Sequence, residues 1–201
     1  MTLPAIRVAE LPEAGALAQV IADAFFDLVV CHWLVPDPVE RRRVLQPDFE
    51  ILVEHGIRQG TVHTTDALDA VAVWFSDAPE GIGEIRDYDA RLAAAVAPHT
   101  ARFTQLDDVM HESHPTGRPH EYLALLAVKP GLQSAGIGSA LLKVRHDHLD
   151  AEGIPAYLEA SSQRSRSLYL RNGYVEVGKP LAAPDGPDEI MYPLWREPVR
   201  S

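Results

Sequence analysis

Residues 133–138 read Gln-Ser-Ala-Gly-Ile-Gly, after an apolar run, Leu-Ala-Leu-Leu-Ala-Val at 123–128, and a loop, Lys129-Pro130-Gly131-Leu132. A turn that opens a helix behind a buried strand presents unpaired N–H groups and the positive end of a helix dipole, which together bind phosphate. Gly136 and Gly138 lack a Cβ, so a ligand can approach the main chain closely. Residue types exclude two familiar nucleotide turns. A dinucleotide fingerprint needs a third glycine where this chain has Leu141, and a P-loop needs a Gly-Lys-Ser/Thr that the chain lacks.

The elements that must position this turn follow from periodicity. Tyr122 to residue 128 is almost continuously apolar, as in a strand buried on both faces. Ile137, Ala140, Leu141 and Val144 mark one face of a following helix. A strand is predicted at 156–160, a short helix at 165–171 closed by Asn172-Gly173, and two last strands at 174–177 and 189–194. Alternating strands and helices imply an α/β (α+β) domain around a central sheet. In the first half, Ile6-Arg7-Val8 suits a short strand. Leu17, Val20, Ile21, Ala24, Phe25 and Leu28 define an amphipathic helix. Pro36 and Pro38 break the chain, and Pro47 is expected to end any helix through Arg41-Arg42-Arg43, a second helix resuming with Phe49, Leu52 and Val53 inward. Residues 61–65 and 70–75 read as a hairpin, 84–112 as helix interrupted by Pro98, and 114–119 as loop.

The bulk numbers narrow the class. A chain of 201 residues is enough for one compact core. Eighteen basic against 29 acidic residues give a net charge of −11, which opposes binding to nucleic acid and favours cationic ligands such as amines. No apolar run approaches a membrane span, and the opening residues lack the pattern of a signal peptide. One cysteine, Cys31, excludes an internal disulfide, reads as a buried structural thiol and suits a reducing, cytoplasmic setting.

Leu126-Ala127-Val128-Lys129-Pro130, continued by Gln133, Gly136, Gly138 and Leu141, resembles the acyl-CoA-binding motif of the GCN5-related N-acetyltransferases (GNAT), whose core is Arg/Gln-x-x-Gly-x-Gly/Ala. Tyr157-Leu158-Glu159-Ala160-Ser161 and then Leu168-Tyr169-Leu170-Arg171-Asn172-Gly173-Tyr174 look like the family's next strand and short helix. The resemblance covers residues 118–194; the N-terminal half agrees only in layout. Within the family the chain looks most like puromycin N-acetyltransferase-like members, through Ala70-Val71-Ala72-Val73-Trp74-Phe75 and Met191-Tyr192-Pro193-Leu194. The resemblance implies one GNAT domain over 1–201, with 1–120 the N-terminal part and acceptor side and 121–195 the acyl-CoA-binding core. It also implies a mixed, twisted sheet of six to seven strands, helices on both faces, and a V-shaped splay between the two central strands.

By the same resemblance, acetyl-CoA (coenzyme A) is the cofactor. The N–H groups of Gln133, Ser134, Ala135, Gly136, Ile137, Gly138 and Ser139 would hold its pyrophosphate, and the main chain of Leu126, Ala127 and Val128 its pantetheine arm, with an N–H near Val128 polarising the carbonyl. Ser162 stands where the family often has an Asn on the cofactor. Gln133 brings no charge, which leaves Arg164 or Lys143 as nearby cations. Tyr169 matches the tyrosine that reaches the sulfur, and a phenol of ordinary pKa about 10 can protonate a departing thiolate. The amine needs a base; Glu121, His120 and Glu159 are candidates because each lies on or beside a central strand, and His120 and Glu121 must face opposite ways.

The implied function is acetyl-CoA-dependent N-acetylation of a primary amine of a small molecule, an antibiotic or a metabolite, by direct attack in a ternary complex. The alternatives are a noncatalytic acyl-CoA-binding module, a different acyl-CoA, or a protein amine. The acceptor wall is assigned to residues 12–58 and 77–120, with Phe25, Phe26, Trp33 and Phe103 on it. Tyr192, Leu194 and Trp195 on a terminal strand suggest a homodimer contact. His111, His114 and His120 fall around a loop with Pro115 and Pro119 and no nearby cysteine, so no metal site is expected. No Gly-x-Ser-x-Gly elbow occurs.

Overall fold

A computed structural model describes residues 3–77 and 83–199. After the strand β1 (Ile6–Val8) come α1 (Ala14–Phe25), α2 (Val29–Leu34) and α3 (Pro38–Gln59). α1 forms at the predicted periodicity and buries Leu17, Val20 and Ile21. α3 begins at Pro38, capped by the Asp37 carboxylate, which accepts from the N–H groups of Val39 and Glu40 at 2.9 Å each. Pro47 lies inside this helix and does not end it, contrary to the sequence expectation. An interior proline costs about 3 kcal/mol, but Val44, Leu45, Phe49, Ile51 and Val53 are buried on both sides of it and hold the helix together.

The hairpin is β2 (Thr61–Thr65) with β3 (Ala70–Asp77). α4 (Tyr88–Val96) and α5 (Thr100–Ser113) flank Pro98, and a loop leads into β4 (His120–Val128). The remaining elements are α6 (Ile137–Glu152), β5 (Ala156–Ala160), α7 (Gln163–Arg171), β6 (Val175–Glu176) and β7 (Tyr192–Arg196). The last two strands are displaced from their expected spans: one shrinks to two residues and the other begins three residues later than predicted.

All seven strands form one sheet in the order β1-β2-β3-β4-β5-β7-β6, antiparallel except for the parallel pair β4–β5. α1 and α3 pack on one face, over Tyr122, Leu125 and Tyr157. α6 and α7 pack on the other, over Leu123, Leu158 and Leu194. β4 and β5 pair only through Glu121 with Ala156 and Tyr122 with Tyr157. Beyond those pairs the strands diverge, giving the expected splay. Where β4 leaves β5 it also bulges. Val73 faces Leu125 and Trp74 faces Leu123, which makes Ala124 the extra residue and puts Tyr122 and Leu125 on the same face.

β7 is not an edge: it lies between β5 and β6, with Leu194 fully buried and Tyr192 and Trp195 half-buried. No helix among the described residues is long and apolar enough to cross a membrane.

Candidate active site

The glycine turn sits at the open end of the splay. Gly136 is the N-cap of α6 at φ 87°, in the left-handed region that only glycine enters without strain, and no side chain caps the helix. The first N–H groups of α6 therefore face a cleft of about 2040 Å³, lined by Gly136, Gly138 and Ser139. Gly138 is needed for closeness: a Cβ there would lie 3.3 Å from Cδ2 of Leu168 and 3.6 Å from Cδ2 of Leu126. Gln133 turns back and donates from Nε2 to the Val128 carbonyl at 3.2 Å, tying the turn to the end of β4. Arg164, on α7, donates to Oγ of Ser134 at 3.1 Å and lines the same cleft, so a cation stands at the turn. Lys143 is held by Asp147 one turn along α6 instead.

Of the residues expected at the cofactor, all but Ala135 and Ile137 line this cleft. Ile137 packs into the core beneath α6, which removes its side chain from the site. Ser162 caps α7: its Oγ accepts from the Ser165 N–H at 3.1 Å, which fixes the start of the helix that carries Tyr169. Tyr169 is buried on the cleft wall, edge-on to Tyr174 with ring centroids 5.7 Å apart. Burial raises its phenol above the ordinary value, and its hydroxyl has no hydrogen-bond partner among the described residues. The group stays protonated at neutral pH.

At the point of divergence lies the second cluster. Tyr157 and Glu159 share a face of β5, and Tyr122 of β4 donates to Oε2 of Glu159 at 2.9 Å. Oε1 of Glu159 and the Tyr157 hydroxyl beside it are buried and lack a hydrogen bond of good geometry among the described residues. Burial pushes the Glu159 carboxyl up to about 7, against the lowering effect of the neighbouring phenols. His114, from the loop before β4, stands edge-on to both Tyr122 and Tyr157, with centroids 4.9 and 5.1 Å away.

The other two base candidates do not reach the cleft. His120 faces the same side as Tyr122 but is buried behind His114, with Nε2 3.1 Å from Nε2 of His114 and Nδ1 2.9 Å from the Arg118 carbonyl. Glu121 points to the opposite face, where Oε1 accepts from Arg145 of α6 at 2.7 Å. It is a buried ion-pair residue, and the alternation of β4 is the reason.

On the acceptor side, Phe25 and Phe103 line the cleft as expected, but Phe26 and Trp33 do not. Phe26 lies under the guanidinium groups of Arg41 and Arg42, and Trp33 lies against Arg102. Residues 78–82 of the expected wall lie outside the described residues. Cys31 is buried, and desolvation pushes its thiol up to about 12, as suits a structural cysteine. The polar lining residues that escaped the sequence analysis include Asp48 on α3, Tyr88 on α4 and Asp107 on α5. For Asp48 a signal existed. It lies three residues after Leu45 and four before Leu52, on the buried stripe of its helix.

The site therefore combines a parallel strand pair that splays, an uncapped helix start beside it, and a buried tyrosine on the next helix. Residues 94–176 match the family model of the acetyltransferase (GNAT) domain. A mycothiol acetyltransferase of Streptomyces avermitilis is 38% identical over 53 residues, which are 25% of this chain and only 17% of that protein. A structure from Corynebacterium glutamicum, described as histone acetyltransferase HPA2 and related acetyltransferase, shares the fold with a TM-score of 0.72 at 24% identity, over 100% of this chain and 99% of that one. The PaiA N-acetyltransferase of Thermoplasma acidophilum, in complex with coenzyme A, shares it with a TM-score of 0.59 at 12% identity, over 98% and 99% of the two chains.

Proposed function

We propose that the protein is an acetyl-CoA-dependent N-acetyltransferase acting on a primary amine of a small molecule, in a ternary complex. The observation that carries this reading is the pairing, across one cleft, of a buried neutral phenol at Tyr169 with a half-buried carboxyl at Glu159 that desolvation pushes up to about 7. Two groups whose surroundings keep one as acid and free the other as base near neutrality suit a reaction that moves one proton each way.

The residues fit coenzyme A. The uncapped start of α6, left-handed Gly136 and Arg164 suit a pyrophosphate, and the unpaired inner edge of β4 beyond Tyr122 suits an extended amide-bearing arm. When bound, acetyl-CoA supplies an acetyl group activated as a thioester. Overall, amine and acetyl-CoA become amide and free thiol, the ammonium giving up one proton and the sulfur gaining one.

Glu159 accepts the ammonium proton, directly or through water, and Tyr122 holds Oε2 so that the carboxylate keeps one orientation. Tyr169 keeps a proton at its hydroxyl for the departing sulfur. The apolar wall of the cleft, including Leu125 and Phe103, excludes water and favours a neutral amine there.

Thiol release from acetyl-CoA over a panel of amines tests this, comparing the native protein with Tyr169→Phe. Amine-dependent release that falls about a hundredfold in the variant is expected. Coenzyme A binding without release by any amine would overturn the catalytic reading.

A further inference from the structure

The proposed reaction sheds more protons at nitrogen than Glu159 can take. An ammonium must lose one proton before its nitrogen can attack, and the nitrogen carries an excess proton again once it has bonded to the acetyl carbon. The sulfur takes its proton from Tyr169, and Glu159 can hold one of the two that the nitrogen loses. A second acceptor is needed beside Glu159.

His114 stands in the right place. It lines the cleft, is half-buried in the loop before β4, and lies edge-on to Tyr122 and Tyr157, the two phenols beside the Glu159 carboxyl. Its tautomer is set from behind. Nδ1 of His120 lies 2.9 Å from the Arg118 carbonyl, which can only accept, so that nitrogen carries the His120 proton. Nε2 of the neutral His120 ring is then an acceptor, and Nε2 of His114, 3.1 Å away, is the donor. Nδ1 of His114 is therefore the nitrogen without a proton. The other titratable and charged groups around the pair are His111 of α5, whose carbonyl accepts from the His114 backbone N–H at 3.3 Å, and Arg118, whose guanidinium is paired with Glu197 at 2.6 and 2.7 Å.

We infer that His114 is a second proton acceptor at the amine end of the cleft, and that His120 is its positioning residue, holding the His114 proton on Nε2. Glu159 takes the ammonium proton before attack. Nδ1 of His114 takes the proton that the nitrogen sheds after the C–N bond forms, and the resulting imidazolium keeps its Nε2–H bond to His120. Two protons leave the nitrogen; one replaces the proton that Tyr169 gives the sulfur, and one is released to water. The role of His114 rests on the acetyltransferase reading, whereas the tautomer does not.

Long-range proton–nitrogen spectra of the protein labelled at histidine, in alkaline solution and without substrate, read the tautomers directly. His114 should carry its proton on Nε2 and His120 on Nδ1; a proton on Nδ1 of His114 would overturn the inference. With acetyl-CoA and the best acceptor of an amine panel, His114→Ala should lower kcat about tenfold or more, and added imidazole should restore part of the loss. A loop that was merely loosened would not respond to imidazole, and a rate within about twofold of native would overturn the role of His114. His120→Gln, whose side-chain oxygen can accept the same N–H, should keep most of the rate, and His120→Phe, which has no acceptor, should lose it. Equal rates in those two variants, with coenzyme A affinity intact in both, would overturn the positioning role. Absence of transfer to any amine by the native protein would overturn the acetyltransferase reading and the role of His114 with it, while the spectrum still decides the tautomer.

Discussion

The hydroxyl of Tyr122 donates to Oε2 of Glu159 across the two central strands, from the last paired residue of β4 to a residue two beyond the last pair on β5. The bond fixes the carboxylate against the mouth of the splay while leaving its other oxygen beside the Tyr157 hydroxyl, without a hydrogen bond of good geometry among the described residues. It also couples the strand that would hold the cofactor arm to the group that would deprotonate the acceptor.

Glu159→Gln should lower kcat/KM by about a hundredfold or more while leaving coenzyme A affinity within about twofold. In the native protein kcat/KM should rise with pH through about 7, because the ionised carboxylate is the active form and burial raises its pKa to that point. That limb should vanish in the variant. Glu121→Gln should behave oppositely. It breaks a buried ion pair to Arg145, so it should lower the melting temperature and leave the pH limb in place. Rate measurements over pH and a thermal melt of each variant separate the two.

Gly136→Ala should weaken coenzyme A binding by about tenfold or more. At φ 87° an alanine carries left-handed strain of about 1–2 kcal/mol, and its Cβ would lie 3.2 Å from Leu3. The turn relaxes from that strain by moving the N–H groups at the start of α6. Calorimetric titration of coenzyme A reads the change, and unaltered affinity would sink the assignment of the turn.

Asp48→Asn should stabilise the protein more at alkaline than at acid pH. Desolvation pushes the native carboxyl up to about 8 from its ordinary 3.8, so between those values the folded state binds more protons and its stability falls as pH rises. The asparagine has no such loss. The variant's advantage should grow from near zero at about pH 4 to on the order of 1–3 kcal/mol at about pH 9. Denaturant melts across that range test it, and an advantage independent of pH would count against the buried charge.

The cofactor side of this fold was legible from the chain because local rules dictate it. A continuous apolar strand, glycines that the backbone requires, and a helix closed by Asn172-Gly173 each leave a mark within about twenty residues. The same rules failed at Pro47, where packing on both sides of α3 overrides the propensity of one residue. The acceptor side was hidden for a different reason. Asp48, Tyr88, Asp107 and Glu159 come from α3, α4, α5 and β5, and only the tertiary fold brings them to one cleft. The alternation of β4 correctly separated His120 from Glu121, but it could not show that His114 would stand in front of one and Arg145 would claim the other.

The two halves of the sheet, β1-β2-β3-β4 and β5-β7-β6, are joined side by side through just two residue pairs. Such a seam is a short hinge line, with a four-stranded plate on one side and a three-stranded plate on the other. A ligand arm lying along the open edge of β4 would act as a splint across it. The cohesion of the sheet and the occupancy of the cleft are then one property, measured from two sides.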